Sequence, residues 1–214
     1  MPFTLHEFLQ VFAEYNDAIW PIQNAWIALA LAMIVAAFLP SRIRPAIIPF
    51  GLALLWTWMG AVYHLIFFRK INPAATAFGL VFLLEAVLLT TWALQTRGLS
   101  FRPRHTPRAW AGGGLLVFAL VIYPKLAVAF GHFYPAQPTF GLPCPTTIAT
   151  LGLLLWATPS PPWQVWTIPV LWAGIGSSAA IRLGMREDWG LLIAGLSALA
   201  LNWMDARERR GAAA

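Results

Sequence analysis

Residues 45–68 read PAIIPFGLALLWTWMGAVYHLIFF, an unbroken run with no Asp, Glu, Lys or Arg. About 20 apolar residues carry an α-helix across the ~30 Å hydrocarbon core of a bilayer. The run is therefore read as a transmembrane helix. The same pattern extends outward in both directions: Ala18–Ser41 carries no formal charge, and Leu126–Ile181 has only His132 as an ionisable basic group. The fold class that follows is all-α, an integral membrane helical bundle.

Composition agrees with this. Hydrophobic residues make up 59% of the 214 and charged residues 10%, against roughly 25% charged in an ordinary soluble domain. The net charge of +6 has a topological cause, because Lys and Arg gather in the cytoplasmic loops of membrane proteins. Nucleic acid is not an expected partner. The first seventeen residues have no basic start and contain Glu7, Glu14 and Asp17, so no cleavable signal is expected. Cys144 is the single cysteine, which excludes an internal disulfide.

Thr4 and Glu7 stand in the spacing of a capping box, ahead of Leu5, Phe8, Leu9, Phe12 and Tyr15 at helical intervals. Residues 1–17 are expected to form a short interfacial amphipathic helix. A single transmembrane domain over 18–204 follows, then a basic cytoplasmic tail over 205–214. Seven spans are expected, at Trp20–Leu39, Ala46–Phe68, Ala74–Leu94, Trp110–Phe130, Cys144–Ala157, Trp163–Ile181 and Trp189–Trp203. The fifth is shorter than the ~17-residue minimum, which leaves a re-entrant or broken helix open.

Alternate loops divide the basic residues unequally. Arg42, Arg44, Arg97, Arg102, Arg104, Arg108, Arg207, Arg209 and Arg210 fall on one side, and Arg69, Lys70, Arg182 and Arg186 on the other. This places the N-terminus outside and the C-terminus in the cytoplasm. The cluster Arg97–Arg108 suits anionic lipid headgroups. Ala173 with Ser177, Gly174 with Ser178, and Gly190 with Ala194 and Ala198 put small residues at four-residue spacing on the last two spans. Such faces allow a tight helical hairpin or a homodimer.

Ionisable groups within spans are the first place to look for function. Glu85 lies midway along the third span and His64 near the end of the second. Each is compatible with a structural role, and each with an ion or proton site. The segment GHFYPAQPTFGLPCPTT at 131–147, with Pro124 just before it, is too rich in proline for an uninterrupted helix. Irregular backbone at membrane depth survives where it lines a cavity. His132, Tyr134, Cys144, Thr146 and Thr147 would supply polar groups there. Imidazole and thiolate together suit Cu(I) or Zn, so His64, His132 and Cys144 form a candidate metal set. A haem is the other cofactor these residues could serve. Catalysis by Cys144 with His132 as base, and Glu85 or Asp188 as orienter, is a further possibility. Trp56, Trp58 and Trp172 lie deep in their spans and are expected to be packing residues.

The stretches MGAVYHLIFFRKINPAA, GHFYPAQPTFGLPCPTT and GSSAAIRLGMREDWGLL resemble an uncharacterised family of bacterial multi-pass inner-membrane proteins, classed as a domain of unknown function, over nearly the whole chain. The resemblance implies a bacterial inner-membrane location and sets His64, Asn72, Pro73, His132, Cys144 and Pro145 in recognisable motifs. It implies no activity. The function expected is binding or transport of a small solute, such as a transition-metal ion or proton, through an outward-facing pocket built from His64, Glu85, His132, Cys144 and Thr147. A membrane-embedded enzyme or haem- or quinone-linked redox subunit is one alternative, and an assembly partner of another membrane protein is another.

Overall fold

The capping box closes as its spacing predicts. Glu7 N donates to Thr4 Oγ1 at 3.3 Å, and Thr4 N donates to Glu7 Oε2 at 2.7 Å. These bonds start α1 (Leu5–Ile19) in a computed structural model that describes residues 2–39 and 44–211. Arg42 lies outside the described residues, as do the side chains of Arg44, Arg209 and Arg210.

The chain turns by 86° between α1 and α2 (Ile22–Phe38). Then follow α3 (Arg44–Trp58), which runs into a π-helical stretch Met59–Phe67, and α4 (Ala75–Gln95). After β1 (Ser100–Phe101) come α5 (Pro107–Val117), a second π-helical stretch Phe118–Ile122, and α6 (Tyr123–Ala129). The proline-rich loop leads to α7 (Pro143–Leu155) and β2 (Ala157–Thr158), which pairs antiparallel with β1. The chain closes with α8 (Trp163–Leu183), a 3₁₀ turn at Arg186–Asp188, and α9 (Trp189–Gly211).

Helix occupies all seven expected segments, but not every one has the length and apolarity to span. Ile47–Lys70, Ala75–Gln95, Pro107–Ala129 and Arg186–Arg207 do, and α1 with α2 makes a fifth if the bent pair is a single crossing. The chain thus carries the helices of a membrane protein, with four or five candidate spans among the described residues in place of seven. The fifth expected span departs furthest. At 13 residues α7 is about 20 Å long, and all of its residues except Cys144 are buried. It packs against α5, α8 and α9 as a central strut enclosed by protein.

Glycine permits the closest approaches. A Cβ on Gly112 of α5 would stand 2.7 Å from the Gly152 carbonyl of α7, and one on Gly152 would stand 2.8 Å from the Gly112 carbonyl. Two backbones in such contact tolerate no side chain between them. The α8–α9 hairpin uses the small residues noted in the sequence. Ala173, Ser177, Ala194 and Ala198 are buried, and a Cβ on Gly195 would meet Ala173 Cβ at 2.6 Å. Gly174 and Ser178 face outward. Helix continues through residue 205, the expected start of the tail.

Candidate functional site

Asn16 of α1 is the main anchor of the proline-rich loop. Its Nδ2 donates to the Pro135 and Gln137 carbonyls at 2.7 and 2.8 Å, and its Oδ1 accepts from Thr139 Oγ1 at 2.7 Å. Tyr134 adds a bond from its hydroxyl to the Asn16 carbonyl at 3.4 Å. Tyr15 Oη donates to the Gly141 carbonyl and accepts from Trp58 Nε1 at 2.8 Å. Gly141 is required twice over: its φ is +101°, and a Cβ there would stand 2.7 Å from the Trp26 ring. Irregular backbone is thus satisfied by protein groups, as membrane depth demands.

Held this way, Pro138, Leu142, Pro143, Cys144 and Pro145 form one wall of a cavity with about 780 Å³ of atom-free space, its open mouth included. Phe3 just ahead of α1, Phe8 and Phe12 of α1, Tyr63 and Phe68 in and beside the first π-helical stretch, and Phe78 and Trp172 complete the aromatic part of the enclosure. Among the described residues, Asp188 is the one charged group in the lining. Its Oδ1 accepts from Tyr123 Oη at 2.5 Å, and the Cys144 thiol stands within hydrogen-bonding reach of the same carboxylate.

Next to Asp188, Glu187 is fully buried and its Oε1 lies 2.6 Å from His132 Nδ1. The 3₁₀ turn thereby joins α6, the proline-rich loop and the start of α7 through two adjacent acids. Glu187 Oε2 meets no protein partner among the described residues.

His64 is also fully buried, within the first π-helical stretch, and neither ring nitrogen has a hydrogen-bond partner among the described residues. It is surrounded edge-on or tilted by Phe82 at 4.5 Å, Tyr63 at 5.1 Å, Trp172 at 5.2 Å, Phe68 at 5.8 Å and Phe78 at 6.0 Å between centroids. Glu85 is buried on α4, and neither oxygen has a partner among the described residues. A carboxyl so placed is costly to ionise. Thr146 Oγ1 accepts from Gly141 N at 3.0 Å, whereas Thr147 Oγ1 is buried without a partner among the described residues.

The expected pocket residues are therefore distributed differently from the sequence reading. Of the expected pocket residues Cys144 lines the cavity; His132 is engaged by Glu187, His64 is packed among aromatic rings behind the wall, and neither these two nor Glu85, Tyr134, Thr146 and Thr147 are among the lining residues. His64, His132 and Cys144 do not converge as a ligand set: among the described residues, no three His, Cys, Asp or Glu side chains are gathered to hold a metal ion. The aromatic side chains around His64 and the acids beside His132 and Cys144 account for this separation.

Residues 5–213 match the model of a family of unknown function, DUF6064. The chain belongs to that family. No match was found among curated proteins or among solved structures. Membership in DUF6064 brings no assigned ligand or reaction, so the functional reading rests on the cavity.

Nothing in the sequence singles out Glu187 or Tyr123, and Trp172 reads there as packing. The pairs His132–Glu187 and Tyr123–Asp188 are separated by 55 and 65 positions, beyond the reach of any local spacing rule. The only signal is the tripeptide Arg186-Glu187-Asp188 at the foot of an apolar run.

Proposed function

We propose that this is a multi-pass protein of the bacterial inner membrane, C-terminus cytoplasmic, that binds or moves a small, largely apolar organic solute through the cavity at the head of α7. The observation that carries this reading is the pairing of Asp188 and Cys144 in an enclosure that is otherwise largely apolar, with Asn72 and Ser178 among its other polar residues. Organic-ligand pockets have this composition: apolar walls for affinity, and a few placed polar groups for orientation. A transition-metal ion as the solute finds less support, because its three candidate ligands face different surroundings.

Proton exchange is a second reading, favoured by one arrangement. His132, Glu187, Asp188 and Tyr123 form two short acid-centred bonds on adjacent residues, which lead from the proline-rich loop to the cavity wall.

The test is to purify the protein in mild detergent, identify co-purifying organic molecules by mass spectrometry, and record metal content and the absorption spectrum of the same sample. A stoichiometric apolar molecule is expected, lost on Asp188→Asn and on Ala179→Phe, which fills the cavity from its wall, with both variants still folded by thermal melting. A bound molecule retained in both variants would overturn the reading. A haem or quinone spectrum sensitive to His64→Ala would replace it with a redox subunit.

A further inference from the structure

The opposite end of the molecule carries a second concavity that the cavity reading does not involve. Between α2 and α5 lies an open groove with about 1,630 Å³ of atom-free space. Its sides are Leu31, Ile34 and Phe38 on α2, and Leu116, Val117 and Val121 along α5 and the π-helical stretch after it. The groove has a physical cause. The Gly112–Gly152 contact draws α5 against α7, and the two following glycines offer no side chain to fill the gap toward α2. A Cβ on Gly113 would only graze the Trp156 ring at 3.7 Å, and one on Gly114 would meet nothing within 4 Å. Trp156 forms the floor, fixed by its bond from Nε1 to the Ala109 carbonyl and by the edge of Phe38.

Arg104 and His105 stand at one end of this apolar trough, both exposed. Arg104 makes no ion pair among the described residues. Trp110, 71% exposed beside them, marks the level of a membrane interface. From there the helical path to Ile122 rises about 18 Å at 1.5 Å per residue, close to the ~15 Å hydrocarbon depth of one leaflet.

A cation without an ion-pair partner at interface depth, above an apolar trough one leaflet deep, matches one occupant. We infer that this groove binds an anionic phospholipid, its phosphate at Arg104 and His105 and one acyl chain along α2 and α5. Charge complementarity selects the headgroup class, since Arg97 and Arg102 lie in the same basic stretch.

The probe is a pair of lipids with identical chains, phosphatidylglycerol and phosphatidylcholine, added to the detergent-purified full-length protein and read by native mass spectrometry. Phosphatidylglycerol should be retained about fivefold more than phosphatidylcholine, the scale set by one basic side chain at a membrane surface. Arg104→Gln should abolish the preference while leaving both lipids bound. Gly113→Leu, which lays a side chain over Trp156, should reduce retention of both. Equal retention of the two lipids by the unaltered protein would overturn the inference, as would phosphatidylglycerol binding unchanged in both variants. A protein dimer lost on Gly113→Leu would also overturn it, by showing that a second copy occupies the groove. Binding in the cavity by α7 should be the same in every variant, so the two sites fail or stand separately.

Discussion

Around Arg108, polar groups answer one another; around Asp188, several are left unanswered. The Arg108 guanidinium reaches the Leu155 carbonyl at 3.0 Å, Asn202 Oδ1 at 3.0 Å, Ser160 Oγ at 3.1 Å and Asp205 Oδ2 at 2.5 Å, and it lies over the Trp166 ring. One side chain thus links α5, the end of α7, the loop before α8 and α9, beside the β1–β2 pair. At the other end of α7, both nitrogens of His64, Trp172 Nε1, Ser177 Oγ, Thr147 Oγ1 and Glu187 Oε2 are buried without partners among the described residues. Buried polar groups are normally paired, so a cluster of unpaired ones marks a place built for something besides packing. Polar pairing is concentrated at the Arg108 end, and unpaired buried polar groups at the Asp188 end.

Substitutions can separate the two. The largest effect should come from the strut that connects them: Leu151→Ala on α7, at 0% exposure, should cost about 3 kcal/mol by thermal unfolding in detergent. Leu84→Ala on α4, 51% exposed, should stay within about 0.5 kcal/mol. Next, Arg108→Gln removes a charge shared among three helices and a loop and should cost about 2 kcal/mol, with solute retention in the cavity unchanged. If Arg108→Gln also emptied the cavity, the division between the ends would be wrong. Asp188→Asn should behave inversely. Asn retains an acceptor for Tyr123, so melting should change little while solute binding falls about tenfold, the value of one hydrogen bond to a charged group. A more local effect should come from Thr4→Ala, which removes the α1 cap at about 1 kcal/mol. Hydrogen exchange should then rise in α1, which carries two phenylalanines of the cavity wall, and stay constant in α9.

The spanning helices are legible because charge-free runs of membrane length seldom occur in a chain that folds in water. The same logic misjudges α7. Lipid tails and a protein interior are equally apolar, so composition does not say that Ile148, Leu151 and Leu154 face other helices on every side. For α8 the reverse holds: Gln164, Thr167, Pro169 and Ser177 lower its apolarity, yet Trp166, Trp172 and Ala173 are buried. At the site, proline density points to the correct loop, and Cys144 does line the cavity. What stays hidden is pairing at a distance. Asn16 reads as an ordinary residue near the end of an amphipathic helix, although four hydrogen bonds from the loop and its flanks converge there. Glu187 and Asp188 read as loop charges, although both are buried.

The enclosure of α7 also bears on how the molecule is made. A helix about 20 Å long is too short to cross a ~30 Å hydrocarbon core alone, and two of the helices that enclose it, α8 and α9, follow it in the chain. Its seat is therefore complete only once α9 has been made. Chain order makes the C-terminal hairpin the last wall to be added around the centre of the molecule.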